Sequence, residues 1–343
     1  MEDTVVKKRI RLDSIQMLRG IAALLIVLFH STQIYQNSAN FNYLNWAFKF
    51  GFIGVDLFFV ISGFIILYVH QDNLGQREYT RKYFKSRMFR IYPLYWIILF
   101  VVASVHFFIP TFGGGYERNI GYLFHNFLLI PHTYAFILPQ TWTLTYEVIF
   151  YIVFGIGIYS NNKILRSIFY VWAIICGFNL LGVLKFRSLY TETLFNPVIL
   201  EFLMGTILYY IVSRFKDKIK KLYSDLSIVI GVIILVILIT MVYWDIYYGN
   251  RILFGLAFSI ILFGIITKNL KYKRSYNKTF VLLGNSSYSI FLTHYTLLSA
   301  SVKLLKEIDI CNNFTISIVN LIIVILGITC YKVIEKPIWL KLR

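Results

Sequence analysis

The chain has 343 residues, of which 58% are hydrophobic, 18% aromatic and only 15% charged. Because a soluble domain carries about 25% charged residues, this composition excludes a water-soluble enzyme. A formal net charge of +18 in a soluble chain would suggest nucleic-acid binding. In a chain this apolar, the same charge is also expected if lysines and arginines are concentrated in the cytoplasmic loops of a membrane protein. The widely separated Cys176, Cys311 and Cys330 indicate neither a disulfide framework nor a zinc site.

Ten apolar stretches have the length that a bilayer core requires, about 20 helical residues. In chain order they lie near 17–35, 50–69, 91–109, 140–159, 164–184, 195–212, 226–244, 251–267, 280–300 and 314–332. Three prolines and a run of three glycines make 110–139 a long loop, with an interfacial helix over 119–130 or, as the open alternative, a pair of short or re-entrant segments. The sequence therefore predicts an all-α integral membrane protein with about ten transmembrane helices.

The lysines and arginines give an independent test of this topology. With a cytoplasmic N-terminus, the inside segments hold 26 of the 34 and the outside segments hold seven. This bias predicts that both termini are cytoplasmic, in a multi-pass protein of the bacterial inner membrane. The basic residues are dispersed among short loops, which argues against a nucleic-acid partner. No linker or repeat divides the chain, so we expect one transmembrane domain over 1–343.

Ionisable side chains inside spans are costly and usually mark a site or a pathway. Five helices carry such a side chain roughly 7 to 11 Å below the outer surface, by the helical rise. They are His30, Asp56, Glu147, Glu201 and His294. This common depth predicts a polar chamber in which an imidazole acts as general base, although separate satisfied core residues are the alternative. Depth alone does not show which carboxylate orients the imidazole.

Two further patterns involve arginines. Arg19 and His30 are eleven residues apart, which places them on one helix face roughly 16 Å apart along the axis, although Arg19 could also snorkel to the headgroups. Arg87 and Arg90, spaced i, i+3 before the third span, project to one side at the cytoplasmic mouth. Such a pair suits an anionic ligand, with ordinary positive-inside flanking as the alternative.

Six motifs in chain order are similar to those of the membrane acyltransferase 3 family. They are LDSIQMLRGIAALLIVLFH (12–30), GVDLFFVISGFII (54–66), RMFRIYPLYW (87–96), TWTLTYEVIFY (141–151), NSSYSIFLTH (285–294) and EKP (335–337). The chain thus resembles bacterial O-acetyltransferases that modify lipopolysaccharide, peptidoglycan, capsule or Nod factors.

The resemblance implies a ten-helix fold, acyl-coenzyme A, usually acetyl-CoA, as donor, and a sugar hydroxyl outside the cytoplasm as acceptor. It carries the family's motifs onto particular residues: R-x10-H onto Arg19 and His30, R-x-x-R onto Arg87 and Arg90, W-[ST]-L-x-x-E onto Trp142 and Glu147, and E-x-P onto Glu335 and Pro337. Some members end in an SGNH hydrolase-like domain that relays the acetyl group. This chain stops at Arg343, so we expect no appended domain of that kind, and either direct transfer or a relay from another protein.

We therefore expect His30 to act as general base, with Glu147 or Asp56 orienting its ring, and acetyl-CoA to lie along the first helix with its phosphates near Arg19, Arg87 and Arg90. A covalent acyl-histidine is the competing route. The candidate substrate-binding residues are Tyr288, His294, Glu201 and Ser62; no metal is expected. Packing is an equal explanation for Ser62, as is a hydrogen bond to a neighbouring helix for Tyr288.

Other residues and functions receive less weight. For Glu335 a structural role is favoured, as a surface ion pair or a helix stop before Pro337. Phe41, Tyr43 and Trp46 could stack on sugar rings or belong to an interfacial aromatic belt. The expected partners are acetyl-CoA, a surface polysaccharide or lipid-linked glycan, and membrane lipids. A transporter or flippase of a lipid-linked sugar is the rival function, against which stands the absence of a recognisable repeat.

Overall fold

The computed structural model describes residues 12–109, 115–215, 218–246, 251–272 and 276–342. These residues form a bundle of fourteen α-helices. The helices are α1 Asp13–Ala39, α2 Ile53–His70, α3 Tyr79–Phe108, α4 Ile120–Leu128, α5 Trp142–Tyr159, α6 Asn162–Leu180, α7 Leu189–Leu194, α8 Ile199–Phe215, α9 Lys221–Tyr243, α10 Ile252–Tyr272, α11 Lys278–Asn285, α12 Ser287–Glu307, α13 Asn313–Cys330 and α14 Lys336–Leu342. One π-helix, Tyr331–Glu335, joins α13 to α14.

Within the described part of the chain, nine helical segments are long and apolar enough to cross a membrane. They correspond to nine of the ten predicted spans. The remaining one, predicted over 280–300, is divided at Ser286 into α11 and α12. α12 has 21 residues and is long enough, but its polar and charged side chains make it less apolar than the nine membrane-crossing segments. It nevertheless packs along α1 and α13, and Ser287, Ser289 and His294 of its first half are buried against protein.

The first helix organises the bundle. α1 packs against α2, α11, α12 and α13, and it ends at Asn40, a left-handed residue (φ 52°) whose N–H bonds to carbonyls of the last turn. We call the end of the bundle at which α1 begins the lower face and the end at which it ends the upper face. Arg19 thus lies towards the lower face and His30 towards the upper face.

Small residues bring helix backbones into direct contact. A Cβ on Gly63 of α2 would lie 1.9 Å from the carbonyl oxygen of Phe202, and one on Gly205 of α8 would lie 2.1 Å from that of Val60. A Cβ on Gly284 would likewise lie 1.7 Å from the carbonyl oxygen of Gln16 in α1. Such contacts are typical of helix packing in membranes, where close approach replaces the hydrophobic effect as a source of association.

The segment predicted to form an interfacial helix, 119–130, does contain a helix, α4; its place at the membrane interface stays a prediction. Its first turn is capped by the side chain of Asn119, which accepts a hydrogen bond from the backbone N–H of Tyr122, and Leu129 ends it in the left-handed conformation (φ 58°). Asn126 ties the following loop to the helix by accepting a hydrogen bond from the N–H of Ile137. Residues 110–114 of the predicted loop lie outside the described residues.

Candidate active site

A cavity of about 530 Å³ extends into the bundle from the lower face. It is lined by α1, α2, α3, α5, α11, the π-helix and α14. Its charged lining residues are Arg19, Arg87, Arg90, Lys336, Glu147 and Glu335. Four cations face two carboxylates, so the cavity carries a net positive charge suited to an anionic ligand. Its aromatic walls are Tyr151, Tyr331 and Trp339.

The third helix begins earlier than the apolar pattern indicated. α3 starts at Tyr79, so the two arginines of the R-x-x-R motif project from one continuous helix, as the sequence suggested. The guanidinium carbon of Arg87 lies 5.5 Å from the centre of the Tyr151 ring. Its buried Nε has no hydrogen-bond acceptor among the described residues. Arg87 therefore offers this cavity a donor that a bound ligand could satisfy.

Arg90 is paired with Glu335, a residue for which the sequence favoured a surface ion pair or a helix stop. That expectation was wrong about the location, because only 6% of Glu335 is exposed. Nη1 of Arg90 donates to Oε1 of Glu335 at 2.9 Å, and the hydroxyl of Ser289 donates to Oε2 at 2.6 Å. The π-helix contains Glu335 and thereby sets which way it points; such single wide turns are common at functional sites.

The cavity continues upward into a smaller one of about 70 Å³. Arg19, Ser62, Arg90 and Glu147 line both. Glu147 accepts a hydrogen bond from the hydroxyl of Tyr151, 2.5 Å away, and so belongs to this chamber. Phe58 and Phe291 line only the smaller part, and their rings are in contact, with centres 6.4 Å apart. Arg19 lies beside them, with its guanidinium carbon 6.0 Å from the centre of the Phe58 ring.

Two of the four predicted substrate-binding residues, Ser62 and Tyr288, face this chamber. Ser62 lines both of its parts. Tyr288 lines the smaller part, and its hydroxyl donates to the backbone carbonyl of Ile91 at 2.6 Å, which is the contact to a neighbouring helix that the sequence left open. The hydroxyl of Ser287 is buried beside it without a hydrogen-bond partner among the described residues.

Above this chamber, two histidines from different helices form a pair. Nδ1 of His30 lies 2.9 Å from Nε2 of His294, and Nδ1 of His294 lies 2.6 Å from the carbonyl oxygen of Phe291. A carbonyl only accepts, so Nδ1 of His294 carries a hydrogen and its Nε2 is the acceptor in the neutral ring. His30 therefore donates from Nδ1 and keeps a lone pair on Nε2. That is the tautomer a general base requires.

The expectation that Glu147 or Asp56 orients the His30 ring does not agree with this geometry. Glu147 bonds to Tyr151 in the chamber below, and Asp56 bonds to Arg251, whose Nε lies 2.8 Å from Oδ1 of the carboxylate. Asp56 and Glu201 are both fully buried and lie close enough to interact electrostatically. They form a third cluster, with Arg251 placed over the rings of Phe52 and Trp142.

The predicted single polar layer is thus divided among three places. Residue spacing gives the depth of a side chain along its helix, but the neighbour it meets depends on the rotation and packing of each helix. Sequence reasoning also missed Glu335 and Arg251 as members of polar clusters. The E-x-P motif was a signal for Glu335, and Arg251 at the start of a span was a signal for an ion pair in the membrane interior.

No group of three or more His, Cys, Asp or Glu side chains in the described ranges is placed to hold a metal ion. Cys176, Cys311 and Cys330 are free thiols. The chemistry available from these residues is that of a base, several cations and hydrogen-bond donors along one path. Phe291 connects the chamber to the histidine pair, since its ring lines the smaller cavity and lies 5.7 Å from the ring of His294.

Comparison with known proteins adds independent information. The family model Acyl_transf_3, described as an acyltransferase domain, matches residues 12–333. The exopolysaccharide production protein ExoZ of Rhizobium meliloti is 26% identical over 305 residues, which cover 85% of this chain and 90% of that protein. The peptidoglycan O-acetyltransferase OatA of Listeria monocytogenes is 24% identical over 340 residues, which cover 89% of this chain and 52% of that protein.

The O-acetyltransferase OatA of Staphylococcus aureus is 26% identical over 329 residues, which cover 84% of this chain and 50% of that protein. This chain therefore spans about half the length of the two OatA proteins. No solved structure gave a significant match.

Proposed function

The chain belongs to the acyltransferase 3 family and is a multi-pass membrane acyltransferase, and from this premise we propose that it moves an acetyl group from acetyl-CoA to a hydroxyl of a cell-surface glycan. The lower face is then cytoplasmic and the upper face lies outside the bacterial inner membrane, in accord with the distribution of lysines and arginines. Three relatives whose names refer to exopolysaccharide production or O-acetyl transfer support a glycan acceptor.

The observation that carries the proposal is a continuous chamber with unpaired polar groups in its walls. Nε of Arg87 and Oε1 of Gln16 are buried in the larger part, and the hydroxyl of Ser287 is buried in the smaller part, each without a partner among the described residues. Buried polar groups normally have partners, so such groups along one path indicate that a polar ligand completes it. The positive charge of the larger part favours phosphates.

The donor is accordingly placed with its phosphates in the larger cavity, near Arg87, Lys336 and Arg19. Arg90 contributes less free charge there, because Glu335 holds it. The acyl-pantetheine arm lies along α1, where eleven residues of helical rise, roughly 16 Å, separate Arg19 from His30. The rings of Phe58 and Phe291 close the upper end of the chamber. The thioester reaches His30 by moving past them.

In the chemical step, Nε2 of His30 takes the proton of the acceptor hydroxyl while its oxygen forms a bond to the thioester carbonyl carbon. Collapse of the tetrahedral intermediate breaks the carbon–sulfur bond, and His30 returns the proton to the departing thiolate. The products are an acetyl ester and free coenzyme A, so no proton is gained or lost overall. His294 holds the His30 ring in the required tautomer throughout.

The test uses membranes that contain the protein or its His30→Ala variant, labelled acetyl-CoA and surface polysaccharide from cells that lack the gene. We expect transfer with the wild-type protein and loss of transfer with His30→Ala at equal protein level. Retained transfer by the variant would exclude His30 as the base. A labelled protein intermediate that forms without acceptor, together with ping-pong kinetics, would instead establish the acyl-histidine route. Export of unmodified glycan without thioester consumption would identify a flippase.

A further inference from the structure

A second cavity, separate from the donor chamber, opens beside the histidine pair towards the upper face. It has a volume of about 250 Å³ and is formed by the end of α1, the segment before α2, and α9. We call it the upper cavity; it is lined by Phe29, Thr32, Gln33, Trp46, Lys49, Phe52 and Val242. A cavity of about 150 Å³ is large enough to hold a six-membered ring, so the upper cavity can hold one sugar unit.

One wall residue of the upper cavity, Phe29, is in contact with His30, the proposed base. The rings of Phe29 and His30 have centres 5.2 Å apart, and the rings of Phe29 and Phe52 have centres 5.7 Å apart. Gln33 is one helical turn above His30, at the i+3 position, so the two side chains are neighbours on the surface of α1. His30 is not in the lining itself, so a ring bound in the upper cavity lies one side chain away from it, on the other side of Phe29.

The backbone around Trp46 adopts an unusual conformation. Leu44, Asn45 and Trp46 have φ angles of 47°, 49° and 62°, three successive residues in the left-handed region that only glycine occupies without cost. Each such residue costs on the order of 1 kcal/mol and persists only where the surroundings impose it. This segment carries Trp46 to the cavity wall.

Two helices hold that segment in place. The backbone N–H of Leu44 donates to Oδ1 of Asn313 at 2.9 Å, and the hydroxyl of Tyr43 lies 3.0 Å from that of Ser317, both on α13. From α9, the hydroxyl of Tyr243 donates at 2.5 Å to the carbonyl of Ala47. The position of Trp46 is thus fixed by contacts on both sides of the strained residues, as expected for a rigid binding platform.

The lining chemistry matches a carbohydrate. Aromatic rings bury the apolar faces of a sugar, while the exposed amide of Gln33 and the partly exposed ammonium of Lys49 offer hydrogen bonds to its hydroxyls. Lys49 is oriented by an ion pair with Asp245. We propose that the upper cavity is the acceptor site, in which Trp46 stacks on the sugar that His30 deprotonates. This assignment rests on the proposed function.

The experiment measures transfer from labelled acetyl-CoA to polysaccharide isolated from cells that lack the gene, as a function of polysaccharide concentration. We expect Trp46→Ala to raise the apparent KM for polysaccharide about tenfold and to leave the KM for acetyl-CoA unchanged. Trp46→Phe, which keeps a ring, restores most of the affinity. Trp244→Ala is the matched control, because Trp244 is at the same face, 72% exposed and absent from the cavity lining.

Because Trp46 lies in a strained segment, Gln33→Leu on the regular helix α1 is the second variant, and we expect the same selective rise in the KM for polysaccharide. An unchanged KM for polysaccharide in both variants would overturn the acceptor site. An equal effect of Trp244→Ala would assign these residues to an interfacial aromatic belt instead. If the wild-type protein transfers no acetyl group at all, the proposed function itself fails, which is a different result.

Discussion

Nδ1 of His30 lies 2.9 Å from Nε2 of His294, and the second nitrogen of His294 is committed to the carbonyl of Phe291. The two rings come from helices 264 residues apart in sequence, and His294 has no exposed surface. His294 is therefore a positioning residue that acts through His30. In many hydrolases a carboxylate performs this task. Here a neutral imidazole does so, which avoids an additional charge in the membrane interior.

We expect His294→Leu to lower kcat by about 10² to 10⁴, because the His30 ring loses the acceptor that selects its tautomer. His294→Gln places an amide oxygen near the position of Nε2 and retains activity within about tenfold of wild type. The KM for acetyl-CoA stays constant in both variants, since neither touches the donor cavity. Steady-state kinetics in membranes measure kcat and the KM for acetyl-CoA of each variant. Equal activity of the Leu and Gln variants would contradict the positioning role.

Arg87→Ala should raise the apparent KM for acetyl-CoA about tenfold, because a charge-assisted hydrogen bond to phosphate is lost. The effect should diminish at high salt, since screening weakens the same attraction in the wild-type protein. Arg81→Ala is the control, as Arg81 lies on the same helix but is exposed and outside the cavity. Acetyl-CoA titrations at two salt concentrations provide the measurement. If both variants weaken the donor equally, general charge at the lower face is responsible and no specific site is needed.

Glu335→Ala should destabilise the protein by about 2 kcal/mol, because it leaves the charge of Arg90 without its partner in a largely buried position. The side chain of Arg90 is 28% exposed, which keeps this cost below that of a fully buried pair. Thermal unfolding in detergent measures the effect as a fall of several degrees in Tm. Glu78→Ala, at an exposed position before α3, serves as the control.

The double variant Arg90→Met with Glu335→Leu removes both charges at once. We expect it to unfold at a higher temperature than Glu335→Ala, since no buried charge remains unpaired. A double variant less stable than Glu335→Ala would show that the pair itself stabilises the fold.

Gly63→Ala should lower Tm and the yield of folded protein, because the added methyl group would lie 1.9 Å from the carbonyl oxygen of Phe202 and force α2 away from α8. Overpacking of this kind costs about 1 to 3 kcal/mol. Gly177→Ala in α6 is the matched control, with no atom within 4 Å of the added group and a higher helix propensity. Unfolding curves of the two variants test the contact. The same Tm for both would mean that the helix interface adjusts without strain.

The helices were predictable from the sequence because the bilayer imposes a simple requirement of length and apolarity. The boundaries of α3 differed, since Arg87 and Arg90 continue a helix whose apolar run begins only at Ile91. The predicted span over 280–300 differed more. Ser286 interrupts it, and the polar side chains of α12 are tolerated because protein surrounds them, which a count of apolar residues does not register.

The sequence predicted which residues belong to the site better than it predicted which of them are in contact. Arg19, Arg87, Arg90 and Glu147 do line one cavity, and His30 and His294 do meet. The partners of Asp56 and Glu335 could not be derived, because Arg251 and Arg90 are 195 and 245 residues away in sequence. Contacts of this range depend on how helices rotate and dock, and helical periodicity within one segment carries no information about them.

The π-helix Tyr331–Glu335 contains one residue more than an α-helical turn would need between the same two points. Loss of one residue there would restore regular α-helical winding between those two points, so Lys336 and Trp339 would keep their places at the donor cavity. The residues of the wide turn itself would shift, and among them Glu335, whose carboxylate now holds Arg90. A single-codon deletion in this stretch would therefore separate Glu335 from Arg90, while leaving the apolar character of the last membrane segment intact.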